Sequence, residues 1–506
     1  MMAIMEERSC IALCQKRVCV VLDQSRVQAS GRIMGFAVRG IMAPVSLALI
    51  SLCFVSGCGS STSSAGLPTT APPPPPPPPQ TVVSVTITPT FTELKRGSSG
   101  SFSAAVVNAQ DTSVSWSIQE GAAGGSITSA GVYTAPDADG DYHIVATSHA
   151  DKTKGAVAKV TVAASVFTET GSLLTGRCYH TATLLQNGQV FIAGGEGTVG
   201  NVSGIIMGGA EQFNPTDGAF HSAGTVERDG HTATLLANGD VLITGGSTDN
   251  SGWPGVITAT AELLKADTGL IEPTGSMIIP RKFHTATLLE DGRVLIVGGM
   301  TTSGSDVVPT DTAELYDPAS GTFSQAANMN RPWSQHAAAL LSSGKVLLVG
   351  DGSAELYNPA TDTFMATSSR TAIRSDVVAT TLSDGRVLIT GGTASYAEAY
   401  SGPSELFDPV SEQFTTTGVL RTPRWTHTAT LLPDGTVLVA GGVTGWSSGS
   451  TVATEIYDPS TGLFKPGPKL LHERGSHTAT LLSDGSVLFA GGASFGSRPQ
   501  AAEIYK

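Results

Sequence analysis

The histidines of this chain recur at one position of a repeated motif. Six of the ten open a segment that reads HTATLL or a close variant of it, namely His180, His231, His284, His336, His427 and His477. Imidazoles bind metals and transfer protons, so a ring of them could hold a metal ion. Metal sites rarely need six equivalent ligands, however, and an arginine precedes the motif while a glutamate follows it. The pattern therefore favours a hydrogen-bonded Arg, His and Glu lattice that joins the repeats.

Residues that differ between the repeats are better candidates for recognition. Four of the five tryptophans fall in connections between repeated segments: Trp253, Trp333, Trp425 and Trp446. In the fourth repeat, Asp351 replaces a glycine that is present in the other copies. Aromatic side chains in loops anchor protein contacts and stack on sugars, and they also plug loops onto a scaffold. We predict that these five residues bind a ligand, with loop packing as the alternative for the tryptophans.

The repeated segment predicts the elements that position these residues. It occurs seven times between His180 and Ala490, and each copy carries a turn such as Asn187-Gly188 or Asp291-Gly292 between two β-rich runs. This is a strong hairpin signal because type I′ turns need positive φ. A Glu-containing third strand and a Phe-led fourth strand follow in the later repeats. Four strands per roughly 50 residues predict one propeller blade per repeat.

The phase of the repeats predicts a closed ring. The array opens at Phe167 with a fourth strand and ends at residues 502–505 with a third strand. Pairing these two ends completes a seventh blade and removes both open sheet edges. The loops between second and third strands have 14, 14, 13, 2, 11, 11 and 9 residues. We call the face that carries them the variable face, and we expect it to be the functional surface.

The chain resembles two known structural families. The double glycines, the tyrosine that follows and the last-strand aromatic of residues 166–506 are similar to kelch-repeat propellers, with Phe in place of the family's usual Trp. Residues 82–164 contain short alternating strands and Trp116, and they resemble bacterial immunoglobulin-like domains. We therefore predict an all-β fold: a seven-bladed kelch-type β-propeller preceded by an Ig-like β-sandwich.

The N-terminal region resembles a lipoprotein signal. An apolar run over residues 42–57 follows Arg39 and ends in Val-Ser-Gly before Cys58, which is similar to a bacterial lipobox. The resemblance implies that Cys58 is lipidated, that residues 1–57 are the signal region and that Met34 is an alternative start. Residues 58–81 form a Ser/Pro-rich linker with eight consecutive prolines, which stiffen it. We expect an exported protein that a lipid anchors in the cell envelope, at the outer membrane or the cell surface.

A second resemblance points to an enzyme. The segment Arg177-Cys178-Tyr179-His180 is similar to the part of galactose oxidase-like copper radical enzymes that supplies a tyrosine and a histidine to copper. It implies Tyr179 and His180 as alternative metal ligands and copper as an alternative cofactor. The family also has a second histidine from a domain after the propeller and a crosslinked cysteine, and neither is apparent here.

Composition limits the function classes. The 506 residues carry a formal net charge of −13, with only 14% charged residues. No basic surface for nucleic acid is expected from this balance. We predict a binding module for a protein or carbohydrate ligand without a cofactor, and a copper oxidase of alcohols or sugars as the alternative.

Overall fold

The computed structural model is almost entirely β-structure, which confirms the predicted fold class. It describes residues 82–199, 202–249, 255–368, 370, 372–395, 398–445, 449–494 and 500–506. The predicted signal region, Cys58 and the linker lie outside these residues, as do Trp253 and Trp446. Within the described ranges, no helix has the length and apolar character to cross a membrane.

The first part of the described chain is a β-sandwich. Its larger sheet has four strands, in the order Phe91–Lys95, Gly155–Ala163, Gly140–Ser148 and Val114–Ile118. A second pairing joins Ser84–Thr88 to Ser103–Val107, and a third sheet contains Ser99–Ser101, Val132–Thr134 and Ser126–Ile127. A 3₁₀ turn covers Gly121–Gly124. Alternating inward residues fill the core, and Trp116 packs against it.

The remaining chain forms seven four-stranded antiparallel sheets, one for each predicted blade. In blades one to three the strands, from the first to the fourth, are Thr181–Leu184, Val190–Ala193, Gly209–Asn214 and Ala219–Thr225; Thr232–Leu235, Val241–Thr244, Ala261–Leu264 and Ile271–Pro273; Thr285–Leu288, Val294–Val297, Ala313–Asp317 and Thr322–Gln325. In blades four and five they are Ala337–Leu340, Val346–Val349, Ala354–Asn358 and Thr363–Ala366; Val378–Thr381, Val387–Thr390, Pro403–Asp408 and Gln413–Val419. In blades six and seven they are Thr428–Leu431, Val437–Ala440, Thr454–Asp458 and Leu463–Pro466; Thr478–Leu481, Val487–Ala490, Ala501–Tyr505 and Phe167–Ser172.

The second strand of every blade is buried along its whole length because both of its faces are covered by neighbouring blades. Leu295 and Val297 of blade three, for example, pack with Val346 and Leu348 of blade four in one buried cluster. The hydrophobic core is thus a series of layers between blades. This packing holds the start of each first strand at a defined place around the axis.

The ends of the chain close the ring as the sequence predicts. Phe167 pairs with Tyr505 and Glu169 with Glu503, so blade seven takes its fourth strand from the beginning of the propeller. The Phe167 ring also contacts the rings of Tyr505 and Phe489. The first strands of neighbouring blades contact one another all around the axis, including blade seven with blade one.

The variable face carries additional short strands. The loops of blades one and three form the hairpins Glu196–Val199 with Val202–Ile206 and Met300–Ser303 with Asp306–Pro309. The loops of blades five and six join in one small sheet of Thr393–Ser395, Glu398–Ala399, Val443–Gly445 and Gly449–Ser450. Loops from different blades are therefore physically connected on this face.

Candidate functional site

The repeated arginines and glutamates form the predicted lattice on the variable face. In blade one, the buried Arg177 donates from Nη2 to Glu211 Oε1 at 2.6 Å and from Nη1 to the Gly194 carbonyl at 2.9 Å. Glu211 also accepts the backbone N–H of Leu174 at 2.7 Å. Burial lowers the pKa of Arg177, and the Glu211 carboxylate opposes that shift. The remaining pairs are Arg228–Glu262, Arg281–Glu314, Arg374–Glu405, Arg424–Glu455 and Arg474–Glu503.

The motif histidines connect neighbouring blades. His180 Nε2 lies 3.0 Å from the Thr478 hydroxyl of blade seven, and His231 Nε2 lies 2.9 Å from the Thr181 hydroxyl of blade one. Burial, together with nearby arginine charge, lowers the pKa of both histidines to about 3. They are therefore neutral hydrogen-bonding groups at physiological pH. The same arrangement recurs for His284, His336, His427 and His477, so the structural role is confirmed.

Blade four departs from this lattice because Trp333 occupies the arginine position. Its ring packs on Gly350, where a Cβ would clash with the indole. The Gly350 carbonyl instead accepts from Arg370 Nη1 of the next connection at 2.7 Å. Trp333 is only 5% exposed, whereas Asp351 is exposed beside it. Trp333 thus stands where the other blades have an arginine.

The described tryptophans pack loops onto the propeller. Trp425 is 7% exposed and belongs to a buried cluster with Cys178, Val443 and Ala493. Its backbone pairs with that of Val443 in the neighbouring loop. Loop packing, the alternative interpretation, therefore describes Trp333 and Trp425, while ligand contact by Trp253 and Trp446 stays a prediction. Trp333 and Trp425 belong to different buried clusters.

The structure does assemble a set of residues that the sequence interpretation missed. The residue directly before the histidine position has positive φ in every blade, between 50° and 62°. Six of the seven are not glycine, and one is a β-branched threonine, for which this conformation is strained. We call this set the axial ring: Tyr179, Gly230, Phe283, Gln335, Asp376, Thr426 and Ser476.

Backbone hydrogen bonds join four pairs of neighbours in the axial ring. Tyr179 N–H donates to the Ser476 carbonyl at 3.3 Å, and Ser476 N–H donates to Thr426 at 2.9 Å. Phe283 donates in the same way to Gly230 at 2.8 Å, and Gln335 donates to Phe283 at 3.2 Å. Hydrogen-bonded chains lie about 4.8 Å apart, so a ring of seven such steps is about 11 Å across between Cα atoms. The ring therefore surrounds a narrow mouth at the propeller axis.

The axial ring is repetitive in backbone and diverse in side chain. Tyr179 and Phe283 approach edge to face over Gly230, with ring centroids 6.5 Å apart. Together with Gln335 and the histidines behind them, they line a cavity of about 220 Å³. Asp376, Thr426 and Ser476 occupy the other side of the ring, and all three are partly exposed. One side of the ring thus carries aromatic residues and the other carries polar residues, of which Thr426 has its Oγ1 buried.

A sequence signal for the axial ring existed but was not used. It is the one position inside an otherwise repeated Arg-x-x-His segment where every blade carries a different residue type. Its location at the mouth depends on a left-handed backbone conformation, which only Gly230 suggests from residue type.

The structure places both residues that resemblance nominated for copper, Tyr179 and His180, at the axial cavity. Tyr179 lines the axial cavity, but Nε2 of His180 is engaged by Thr478 and Nδ1 is buried against Gly491 of blade seven. The unpartnered Nδ1 recurs in all six motif histidines, so it does not mark a special ligand. Cys178 is fully buried. Among the described residues, no group of three or more His, Cys, Asp or Glu side chains could hold a metal ion.

The comparison with solved structures supports the fold. No family model matches the chain, and no curated protein matches it. A solved structure of a fungal alcohol oxidase of the AA5 family, in complex with copper, is similar with a TM-score of 0.55 and 18% identity. The similarity covers 67% of this chain and 75% of that chain, and at this identity it shows a shared fold.

This comparison corrects one expectation. We predicted a propeller without a cofactor, but a protein with the same fold carries copper. The prediction of no cofactor is therefore wrong, because it took a binding role for granted in a fold that also supports a metal enzyme.

Proposed function

We propose that this chain is a lipid-anchored envelope protein whose propeller binds a protein or carbohydrate ligand at the axial mouth of its variable face. The observation that carries the proposal is the contrast within one segment. Arginine and histidine repeat and are buried in the scaffold, while the residue directly before the histidine position differs in each blade, and four of these seven residues line the axial cavity. Variation on a rigid, repeated support is typical of recognition surfaces.

The scaffold explains how such a site would stay in place. Each axial ring residue is followed by a histidine bound to the neighbouring blade, or in blade five by the buried Val377. Second-to-third-strand loops pair with the residue on the other side, as in the bridges Cys178 to Glu196 and Asp229 to Ser247. The side chains of the ring are thus presented on a preorganised frame, which reduces the entropy lost on binding.

Blocking the mouth tests this proposal. Ser476→Tyr and Thr426→Tyr place an aromatic ring at a backbone position that already holds Tyr179 and Phe283 in other blades. We expect either variant to abolish retention of the purified chain on isolated bacterial cell envelopes while the melting temperature stays nearly unchanged. The matched control is Ser483→Tyr, on an exposed hairpin of the opposite face. Unchanged retention of both blocked variants would reject the axial mouth as the binding site.

A copper-dependent alcohol oxidase is the second candidate, and the fold comparison favours it. Both nominated ligands, Tyr179 and His180, line the axial cavity. The candidate predicts that the purified chain takes up about one copper ion and produces hydrogen peroxide from alcohols, and that Tyr179→Phe loses both properties. A chain that takes up no copper after incubation with the metal would remove this candidate.

A further inference from the structure

The connection between the sandwich and the propeller is very short. The last sandwich strand, Gly155–Ala163, ends just before Ala164 and Ser165, which we call the link. Val166, the next residue, already belongs to the propeller, because its backbone exchanges two hydrogen bonds of 3.1 Å with that of Lys506. Domains of one chain move relative to each other unless a further contact holds them. The link by itself therefore leaves the direction of the sandwich unset.

A second contact joins the two domains at a place remote from the link in the sequence. Glu93 lies in the middle of Phe91–Lys95, the edge strand of the larger sandwich sheet, and it is half-buried. Burial raises the pKa of its carboxyl, whereas the positive charge and the backbone N–H of Lys469 lower it. Lys469 belongs to the connection between blades six and seven. The propeller thus offers a donor and a cation to a carboxylate of the sandwich.

Another acid of the sandwich is tied to the end of the same edge strand. Asp139 accepts from Arg96 Nε at 2.7 Å, and Arg96 directly follows the strand. This hydrogen bond lowers the pKa of Asp139, and so do the backbone N–H of Ala164 and the charge of Lys465. Lys465 lies on Leu463–Pro466, the outermost strand of blade six. Acids of the sandwich thus face lysines of blade six and of the connection that follows it.

The length of the link decides how much these charges can do. Exposed ion pairs contribute little stability on their own. A short link, however, holds the two surfaces at an effective concentration on the order of millimolar or more. A contact too weak to join two separate proteins can therefore stay closed within one chain.

We infer that the sandwich is docked against blade six through the pairs Glu93–Lys469 and Asp139–Lys465, so that it holds the propeller in one direction. The link and the docked pairs form two points of attachment, and two points prevent the rotation that one would permit. The propeller then lies beside an edge strand, and covering such an edge protects it from pairing with other chains. The sandwich is accordingly a rigid mount for the propeller as well as a spacer, whichever ligand the variable face binds.

Zero-length crosslinking of the purified full chain tests the docked arrangement. A water-soluble carbodiimide joins a carboxyl group to a lysine amine only when the two are in contact, and mass spectrometry of the digested monomer identifies the joined residues. We expect crosslinks between Glu93 and Lys469 and between Asp139 and Lys465. The pair Asp141–Lys159, 2.8 Å apart within the sandwich, is the internal reference and should crosslink in every sample.

Substitution of Glu93 separates docking from the effect of the link. Glu93→Lys brings like charges together, so the yield of the Asp139–Lys465 crosslink should fall by about tenfold although both of its residues are unchanged. Glu93→Lys combined with Lys469→Glu restores opposite charges and should recover most of that yield. The matched control Ser117→Lys adds the same side chain at an exposed position on the other edge strand of the sheet, and it should have no effect.

Melting curves identify variants that fail to fold, and the double variant tests the same position with its charges balanced. Absence of both interdomain crosslinks from the unmodified chain, with the reference crosslink present, would overturn the inference. An Asp139–Lys465 yield that Glu93→Lys leaves unchanged would also overturn it, because the link alone would then place the domains.

Discussion

At the scale of single residues, the propeller depends on buried polar groups that are satisfied across blade boundaries. Nε2 of each motif histidine forms a hydrogen bond with a threonine hydroxyl of the preceding blade. His336 Nε2, for example, lies 2.9 Å from the Thr285 hydroxyl. Blade five has Val377 at the histidine position and Val378 at the threonine position, so His427 of blade six binds Thr390 instead. Neutral imidazole is the form compatible with this burial, since a charged ring would lose its hydration without a counter-ion.

This arrangement predicts acid sensitivity. A folded pKa of about 3 for His180, His231 and His427, against about 6.5 in the unfolded chain, means that the unfolded state binds protons first as the pH falls. The free energy of unfolding has its full value above pH 6.5. It declines towards pH 3 by up to about 1.4 kcal/mol per pH unit for each histidine. Chemical denaturation between pH 7 and pH 4.5 should show this decline.

Variants assign the pH dependence to these residues. His231→Val, which copies the residue type of Val377, should reduce the slope of the unfolding free energy against pH by the contribution of one histidine, whatever its effect on stability at pH 7. The control is Ser483→Val on an exposed hairpin, which should leave the slope unchanged. A denaturation midpoint independent of pH from 7 to 5 would contradict the neutral, buried state.

At the scale of elements, the fourth strand of blade seven decides whether the ring is closed. Phe167–Ser172 pairs with Ala501–Tyr505, which in turn covers the buried strand Val487–Ala490. Ala502 and Ile504 belong to the core cluster that contains residues of blade one, so the strand Ala501–Tyr505 joins the two ends of the array. A propeller without it would expose two sheet edges and an apolar layer.

Removal of residues 501–506 should therefore open the ring. We expect a melting temperature lower by at least about 10 °C and concentration-dependent association, because the uncovered edges can pair with other copies. Differential scanning calorimetry and size-exclusion chromatography measure the two effects. The substitution Lys506→Ala, at the exposed last residue, is the control and should behave as the unmodified chain. A truncated chain that melts normally as a monomer would show that closure does not stabilise the ring.

At the scale of the whole molecule, the proposed function needs the propeller to be attached to a membrane but separated from the membrane surface by a spacer. Lipidation of Cys58 would provide the attachment, and the proline-rich segment after it would act as a stiff spacer because proline restricts φ. The sandwich would then separate the stalk from the propeller. This organisation suits a ligand that is itself part of a surface.

The anchor is tested by substitution at the proposed lipidation site. In a Gram-negative host, Cys58→Ser should move the protein from the membrane pellet to the soluble fraction, because the acyl chains that hold it there cannot be attached. Cys53→Ser, inside the apolar run, should leave it in the pellet. A Cys58→Ser protein that still needs detergent for release would contradict the lipid anchor.

The sequence alone determined the scaffold of this protein, because each blade must satisfy the same physical requirements. Repeated Asn-Gly and Asp-Gly turns, double glycines and apolar second strands are local signals, and the phase of the first and last repeats predicted closure at Phe167 and Tyr505. The Arg–Glu lattice was also predictable, because a buried charge in every repeat needs a partner in every repeat.

Only the tertiary structure decided where the variable residues lie. Loop position could not tell whether Trp333 and Trp425 face solvent, and both are buried because neighbouring connections fold over them. Nor could residue type show that Tyr179, Asp376 and Thr426 share one left-handed backbone position around the axis. Those three residues are far apart in the chain, and it is the closure of seven blades into a ring that brings them to one mouth.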